Sequence, residues 1–283
     1  MAKKVWFITG ASRGFGSLIA RDALARGDYV VATARKAESV TEALGAHPNL
    51  LAVQLDVTRE AAAIVATQQA VERFGRIDVL VNNAGFGLLG AVEESSADEV
   101  RKLYDTNVFG LLNVTRAVLP VMRKQRSGHV MNISSVGGYS AYYGWGVYGS
   151  TKFAVEGLSE AMSMELAPLG IHATVVEPGF FRTDFLDATS LTETAARIED
   201  YAETVGAMRT FAAGANHQQP GDPQKLSKAI LKLADAEKPP VRLQLGSDTV
   251  ARVRAKNQQV EQEMAQWIDV AMSTDFDPVK QAA

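Results

Sequence analysis

Val5-Trp6-Phe7-Ile8-Thr9-Gly10-Ala11-Ser12-Arg13-Gly14-Phe15-Gly16 passes from four consecutive apolar residues straight into a glycine-rich turn. A short, unbroken apolar run closed by glycine reads as a strand buried on both faces of a sheet. Over residues 18–25 the apolar spacing becomes helical, Gly27-Asp28 stops it, and Tyr29-Val30-Val31-Ala32-Thr33 makes a second strand. Strand, crossover helix and strand within about thirty residues make a βαβ unit. Glycines at 10, 14 and 16, between the first strand and its helix, permit a tight turn and the close approach of a pyrophosphate to amides at the helix N-terminus. Taken alone, the same glycines also suit an ordinary turn.

The alternation continues outward from this unit. Residues 50–55, 77–81, 130–133, 172–176 and 241–245 read as further strands, and residues 60–74, 96–124 and 148–166 as helices. Ser96-Ala97-Asp98-Glu99 has the capping-box pattern that starts a helix, and Asp222-Pro223 pairs an N-cap with proline at the first helical position. Parallel strands need crossovers, so the pattern predicts a doubly wound, Rossmann-like parallel sheet of about seven strands with helices on both faces. Such sheets bind ligands at the carboxyl ends of their strands. Residues 1–250 are expected to form one domain. Within it the polar stretch 185–219 is expected to be a mobile lid, and residues 251–283 a helical extension.

Composition narrows the function classes. The 283 residues are 47% hydrophobic with a net charge of −3, so no basic face invites nucleic acid. Without cysteine there are no disulfides or thiolate metal sites, and His47, His129, His172 and His217 lack ligand spacing, so no metal is expected. No apolar stretch reaches the ~20 residues that span a bilayer, and the N-terminal apolar run is too short for a signal peptide. A cytoplasmic protein is expected.

Tyr148-Gly149-Ser150-Thr151-Lys152 carries the candidate chemistry. Four residues separate the phenol from the ammonium, which places both on one helical face. A neighbouring positive charge favours the phenolate, so the pair is expected to exchange protons nearer neutrality than a free tyrosine, without histidine.

With Thr9-Gly10-Ala11-Ser12-Arg13-Gly14-Phe15-Gly16 stand Asp56-Val57, Asn82-Asn83-Ala84-Gly85, Asn107, Asn132-Ile133-Ser134-Ser135, the Tyr148 and Lys152 pair, and Pro178-Gly179 with Thr183. In this order and register the chain resembles the single-domain short-chain dehydrogenase/reductase family over about residues 3–250. The resemblance implies that Tyr148 is the general acid or base and that Lys152 lowers its pKa and holds the nicotinamide ribose. Ser135 would polarise the carbonyl, with Ser134 the alternative, and Asn107 would hold a water in a proton relay. It further implies that Gly10, Ser12, Arg13, Gly14, Phe15 and Gly16 hold the pyrophosphate and that Asp56 and Val57 contact adenine. Asn83, Ala84 and Gly85 would line the groove, and Pro178, Gly179 and Thr183 would meet the nicotinamide. For Asp56 a helix or turn cap is the competing reading.

NAD sites usually place an acid at the end of the second strand, where this chain has Thr33-Ala34-Arg35. Arg35 and Arg13 can form a clamp on a 2′-phosphate, as in NADP-preferring relatives, although solvated arginines would look the same. NADP(H) is the expected cofactor. Phe86, Tyr139, Tyr142, Tyr143, Trp145, Phe180, Phe181 and Phe185 fall in the loops that cover substrate in the family, so a bulky apolar carbonyl or secondary alcohol is expected. A homodimer or homotetramer would form through the two long helices. The competing functions are a non-catalytic NADP-binding redox sensor and a nucleotide-sugar epimerase or dehydratase.

Overall fold

The computed structural model describes residues 3–276. Its strands are β1 (Val5–Ile8), β2 (Tyr29–Ala34), β3 (Leu50–Gln54), β4 (Val79–Asn82), β5 (Gly87–Leu89), β6 (Gly128–Ile133), β7 (Ile171–Pro178), β8 (Leu191–Glu193) and β9 (Arg242–Leu245). Its helices are α1 (Gly14–Ala25), α2 (Ala37–Leu44), α3 (Glu60–Phe74), α4 (Ala97–Tyr104), α5 (Leu111–Gln125), α6 (Gly146–Leu166), α7 (Ala207–Ala215), α8 (Pro223–Ala234), α9 (Ser247–Gln266) and α10 (Ile268–Met272).

Successive side chains of a strand leave on opposite faces, so a strand apolar at every position needs cover on both. β1 is buried at all four positions. Trp6 and Ile8 enter a core with Ile19 and Ala23 of α1 and Ile230 of α8. Phe7 enters the opposite core with Ala66 of α3, Val114 of α5 and Met162 of α6. Seven strands form one sheet in the order β3-β2-β1-β4-β6-β7-β9, every pair parallel. The order reverses between β1 and β4, and a crevice opens at their carboxyl ends. Side chains stitch that crevice. Thr9 Oγ1 accepts from the backbone of Asn83 (2.9 Å) and Ala84 (3.0 Å), while Asn83 Nδ2 donates to Thr9 O (2.9 Å) and Gly10 O (3.1 Å).

Three departures from the sequence reading bear on the site. The short helix α2 was not anticipated. The helix expected over 96–124 is interrupted: the Ser96–Glu99 capping box starts it, but Asp105–Gly110 forms a π-turn between α4 and α5. A π-turn inserts a residue without ending the helix, so the apolar pattern runs on and hides it. A Cβ on Gly110 would lie 2.6 Å from Val57 Cγ2, which fixes a glycine there.

The third departure is the stretch 185–219, which is more ordered than its polarity suggests. β8 pairs with β5 in parallel, and α7 follows. One of its charges is paired and buried: Arg209 Nη2 donates to Glu94 Oε2 (2.6 Å) and Thr194 Oγ1 (3.0 Å). Glu94 also accepts from the backbone of Ala91 (2.8 Å) and Ile198 (2.9 Å). Burial pushes the Glu94 carboxyl up, but these donors outweigh it and hold it at about 2, so the latch stays ionised through the working range. Glu94→Gln is expected to raise limited proteolysis within 187–219 about tenfold, with circular dichroism of the sheet unchanged.

α9 and α10 are exposed over most of their length. The first turns of α9 are fastened to the body by Arg252, which donates to Ser140 Oγ and Ala141 O (both 2.8 Å), and by Asn257, which accepts from the Tyr139 hydroxyl (2.5 Å). Residues 277–283 of the expected extension lie outside the described residues. Among the described residues no helix is long and apolar enough to cross a membrane.

Candidate active site

The turn after β1 is shaped by its glycines. Gly10 (φ +63°) and Gly14 (φ +55°) occupy the left-handed region, and a Cβ on Gly16 would lie 2.5 Å from Gly10 O and 2.6 Å from Asn83 Nδ2. Arg13, the N-cap of α1, contributes no side-chain cap, and the first turn carries no acid. The first amides of α1 are thus left for an anion, and the residues present fit a pyrophosphate.

From this loop a cavity of about 1010 Å³ runs along the strand ends. Gly10, Ser12, Arg13, Gly14, Phe15, Arg35, Asp56 and Val57 line one arm, and Asn83, Ala84 and Gly85 its middle. Ser135, Tyr148, Lys152, Pro178, Gly179 and Thr183 line the other arm. Gly16 and Asn107 stand behind the wall. Arg13 Nη2 donates to Thr189 O (2.7 Å), so this arginine ties the loop to the lid stretch as well as facing the cavity. Asp56 Oδ1 accepts from Thr58 N (3.0 Å) and Thr58 Oγ1 (2.7 Å), so the carboxylate holds a turn, as its competing reading had it, while still facing the groove.

Tyr148 and Lys152 sit in the first turns of α6, both buried. Lys152 Nζ donates to Ile133 O (2.9 Å) and lies 5.7 Å from the centroid of the Tyr148 ring. Burial pushes the Tyr148 phenol above its ordinary value, and only the Ser135 hydroxyl opposes this. The downward pull expected from the ammonium does not register in this buried site, and burial keeps the proton on Tyr148 at neutral pH. Burial lowers Lys152 to about 8, opposed by the charge of Glu156.

The two adjacent serines point apart. Ser135 caps the short turn Val136–Gly138, accepting from Gly137 N (3.1 Å), and its hydroxyl stands beside the Tyr148 phenol, opposing the rise of its pKa. Ser134 is buried away from the phenol, its Oγ without a hydrogen-bond partner among the described residues. Asn107 lies in the π-turn, donating to Phe86 O (3.0 Å) and Thr151 Oγ1 (3.2 Å) and accepting from Phe86 N (3.1 Å).

A glycine loop on a helix N-terminus, a serine beside a tyrosine, and a lysine one turn on are thus gathered at one switch point. Residues 4–194 match the short chain dehydrogenase family. The chain belongs to that family. It is 39% identical over 247 residues to a 3-ketodihydrosphingosine reductase of Bacteroides thetaiotaomicron, covering 87% of this chain and 89% of that one. A short-chain dehydrogenase from Streptomyces avermitilis superposes with a TM-score of 0.90 at 43% identity, over 97% of this chain and 100% of that one. A serine dehydrogenase complexed with NADP+ superposes with a TM-score of 0.71 at 29% identity, over 85% and 94%.

In this short-chain dehydrogenase the arm of the cavity beyond Tyr148 is aromatic. Phe86, Tyr142, Trp145, Phe180 and Phe185 line it, whereas Phe181 packs edge-on against Phe15 of the glycine loop at 5.6 Å. The Trp145 and Phe185 rings each lie 5.6 Å from the Tyr148 ring, and they stack on one another at 6.4 Å. Tyr139 and Tyr143 do not take part: Tyr139 bonds Asn257 of α9, and Tyr143 is exposed.

Among the lining residues that went unread in the sequence, four polar ones bear on ligand binding. Lys36 and Ser39 extend the basic end beside Arg35, and Lys102 joins from α4. The adjacency of Arg35 and Lys36 was the available signal for the first. Gln219 is 3% exposed, and neither atom of its amide has a hydrogen-bond partner among the described residues. An unpaired buried amide facing a cavity suits a ligand donor or acceptor, and no local pattern marks it. One further grouping was not foretold by spacing: His217 Nε2 lies 3.2 Å from Asp187 Oδ1, with Asp184 beside them on the surface of the lid stretch.

Proposed function

We propose that this short-chain dehydrogenase reduces a bulky, apolar ketone or aldehyde, and oxidises the matching secondary alcohol, with NADP(H). The observation that carries the reading is the convergence of Ser135, Tyr148 and Lys152 on one cavity, with the glycine loop and Arg35 along one arm and five aromatic rings along the other. Bound NADPH would supply the hydride to the carbonyl carbon. Tyr148, which carries its proton at neutral pH, would donate it to the carbonyl oxygen. The Ser135 hydroxyl would donate to the same oxygen, and two fixed donors in a buried site stabilise the negative charge that gathers there. Lys152 would hold the ribose hydroxyls and favour the phenolate left behind, and Asn107 would hold a water between Lys152 and solvent.

Arg35, Lys36 and Ser39 support a 2′-phosphate, and the likeness to a serine dehydrogenase with NADP+ agrees. The aromatic arm supports an apolar substrate, as does the likeness to a relative whose name specifies a keto lipid. The test is a carbonyl panel with NADPH, followed by loss of reduced-cofactor absorbance. Hydrophobic aryl and long-chain ketones are expected to turn over fastest, and faster turnover of small polar sugars would overturn the reading. Gln219 is proposed as a further cofactor contact: Gln219→Leu is expected to weaken NADPH binding about fivefold in a fluorescence titration. Association as a dimer or tetramer is proposed through α5, α6 and the π-turn before α5, whose Phe109 and Phe153 are about half exposed, and light scattering reads it directly.

A further inference from the structure

Behind Lys152 lies a set of charged groups that the reaction as derived does not use. Tyr148, Lys152, Glu156 and Glu160 follow one another at four-residue intervals, which sets them along one stripe of α6. Glu156 is 5% exposed, and Glu177 of β7 is wholly buried. Arg242 of β9 serves three carboxylates: Nε lies 3.2 Å from Glu156 Oε2 and 3.8 Å from Glu177 Oε1, and Nη2 lies 2.5 Å from Glu160 Oε2. Gln244 Nε2 donates to Glu177 Oε2 (3.0 Å). Even so, Glu156 Oε1 and Glu177 Oε1 find no hydrogen-bond donor among the described residues.

Two carboxylates buried against one shared guanidinium cannot both stay ionised without a large desolvation cost. A proton between them removes one charge and gives one orphaned oxygen an O–H. We propose that Glu156 and Glu177 hold a single proton between them and that Glu156, one turn behind Lys152, is the counter-charge that keeps the ammonium of Lys152 protonated. The second half rests on the proposed role of Lys152 in the reaction, and the first half does not.

The surroundings allow this proton to exchange. A cavity of about 350 Å³ between α6 and α9 reaches Glu156 and Arg242, walled on the α9 side by Lys256 and Glu261 and on the other by Tyr139. Burial raises Glu156 to about 7, with Glu177 adding to the rise while Arg242 and the Ser134 hydroxyl, which stands nearby outside hydrogen-bond geometry, oppose it; Glu177 is raised as well, first by its burial. As pH rises through neutrality the pair gives up its proton and gains a negative charge. That charge favours the Lys152 ammonium just below the pH at which Lys152, at about 8, would lose its own proton. Glu156 and Glu177 act here as positioning residues, through Lys152.

The test labels ligand-free protein with [13Cδ]glutamate and follows the carboxyl resonances by NMR from acid to alkaline pH. Two signals are expected to move together near neutrality, and in Glu156→Gln the remaining one should titrate alone as a single step. Wild-type carboxyls that all titrate below about pH 5 would overturn the shared proton, and this arm needs no turnover. The second arm is the alkaline limb of kcat/KM. Glu156→Gln should shift it down by about one pH unit, whereas Glu177→Gln, which leaves Glu156 ionised beside Arg242, should leave it in place or raise it. No shift in Glu156→Gln, or an equal downward shift in both variants, would overturn the counter-charge. Should Glu156→Gln not fold, the wild-type carboxyl titration and the Glu177→Gln limb still decide.

Discussion

Tyr148→Phe is expected to lower kcat for carbonyl reduction by about 10²–10⁴-fold, the range that a positioned proton donor contributes, while NADPH binds as in the parent. The substitution deletes one hydroxyl and little else. The ring keeps its edge contact with Trp145 and its tilted contact with Phe185, both at 5.6 Å, so the aromatic arm retains its shape. Lys152 keeps its 2.9 Å hydrogen bond to Ile133 O, which never involved the phenol. Ser135 still caps its turn through Gly137 N. The loss should therefore fall on kcat and leave the cofactor dissociation constant and the melting temperature in place. Because burial raises Tyr148 above its ordinary value, reduction should be flat through neutral pH, whereas alcohol oxidation, which needs the phenolate, should climb as pH rises. A variant that kept a tenth of the parental kcat would remove Tyr148 from its proposed role.

How much of this was legible beforehand follows the reach of each signal along the chain. β1 and its glycine turn were legible because burial on both faces and left-handed φ leave local marks, apolar continuity and glycine. The Tyr148 and Lys152 pair was legible for the same reason, a four-residue spacing on one helix. The π-turn at Asp105–Gly110 left no mark, since one inserted residue barely disturbs the apolar rhythm of the helix around it. The strand and helix within 185–219 went unread because the partners that order them lie far away in the chain. Glu94 and Arg209 are 115 residues apart in sequence, and nothing local says that each neutralises the other. Glu156, Glu177 and Arg242 pose the same difficulty, one residue from each of three elements. Gln219 was invisible because an amide is marked for a ligand only by the partners it lacks.

Arg35→Asp is expected to change the ratio of NADPH to NADH affinity by on the order of 10²–10⁴-fold and to invert the preference. Hydrogen bonds to charged groups contribute about 1.5–3 kcal/mol each, and the substitution acts on both sides of the ratio. Removing the guanidinium takes a bidentate partner from the 2′-phosphate, and the new carboxylate repels it. The same carboxylate, at the end of β2, stands where acids accept the ribose hydroxyls of NAD. The position tolerates the change because Arg35 is exposed, and among the described residues only its backbone carbonyl takes a side-chain hydrogen bond, from Gln54 Nε2 at 3.1 Å. Arg13 is the informative contrast. Its guanidinium also holds Thr189 O at 2.7 Å, so Arg13→Ala should weaken both cofactors by loosening the lid stretch, and weaken NADPH further through the phosphate. Fluorescence titration of both reduced cofactors against the three proteins separates these effects. Equal NADPH and NADH affinity in the parent would remove the clamp and leave Arg13 a lid contact alone, whereas a preference that inverts in Arg35→Asp and merely narrows in Arg13→Ala would assign the phosphate chiefly to the end of β2.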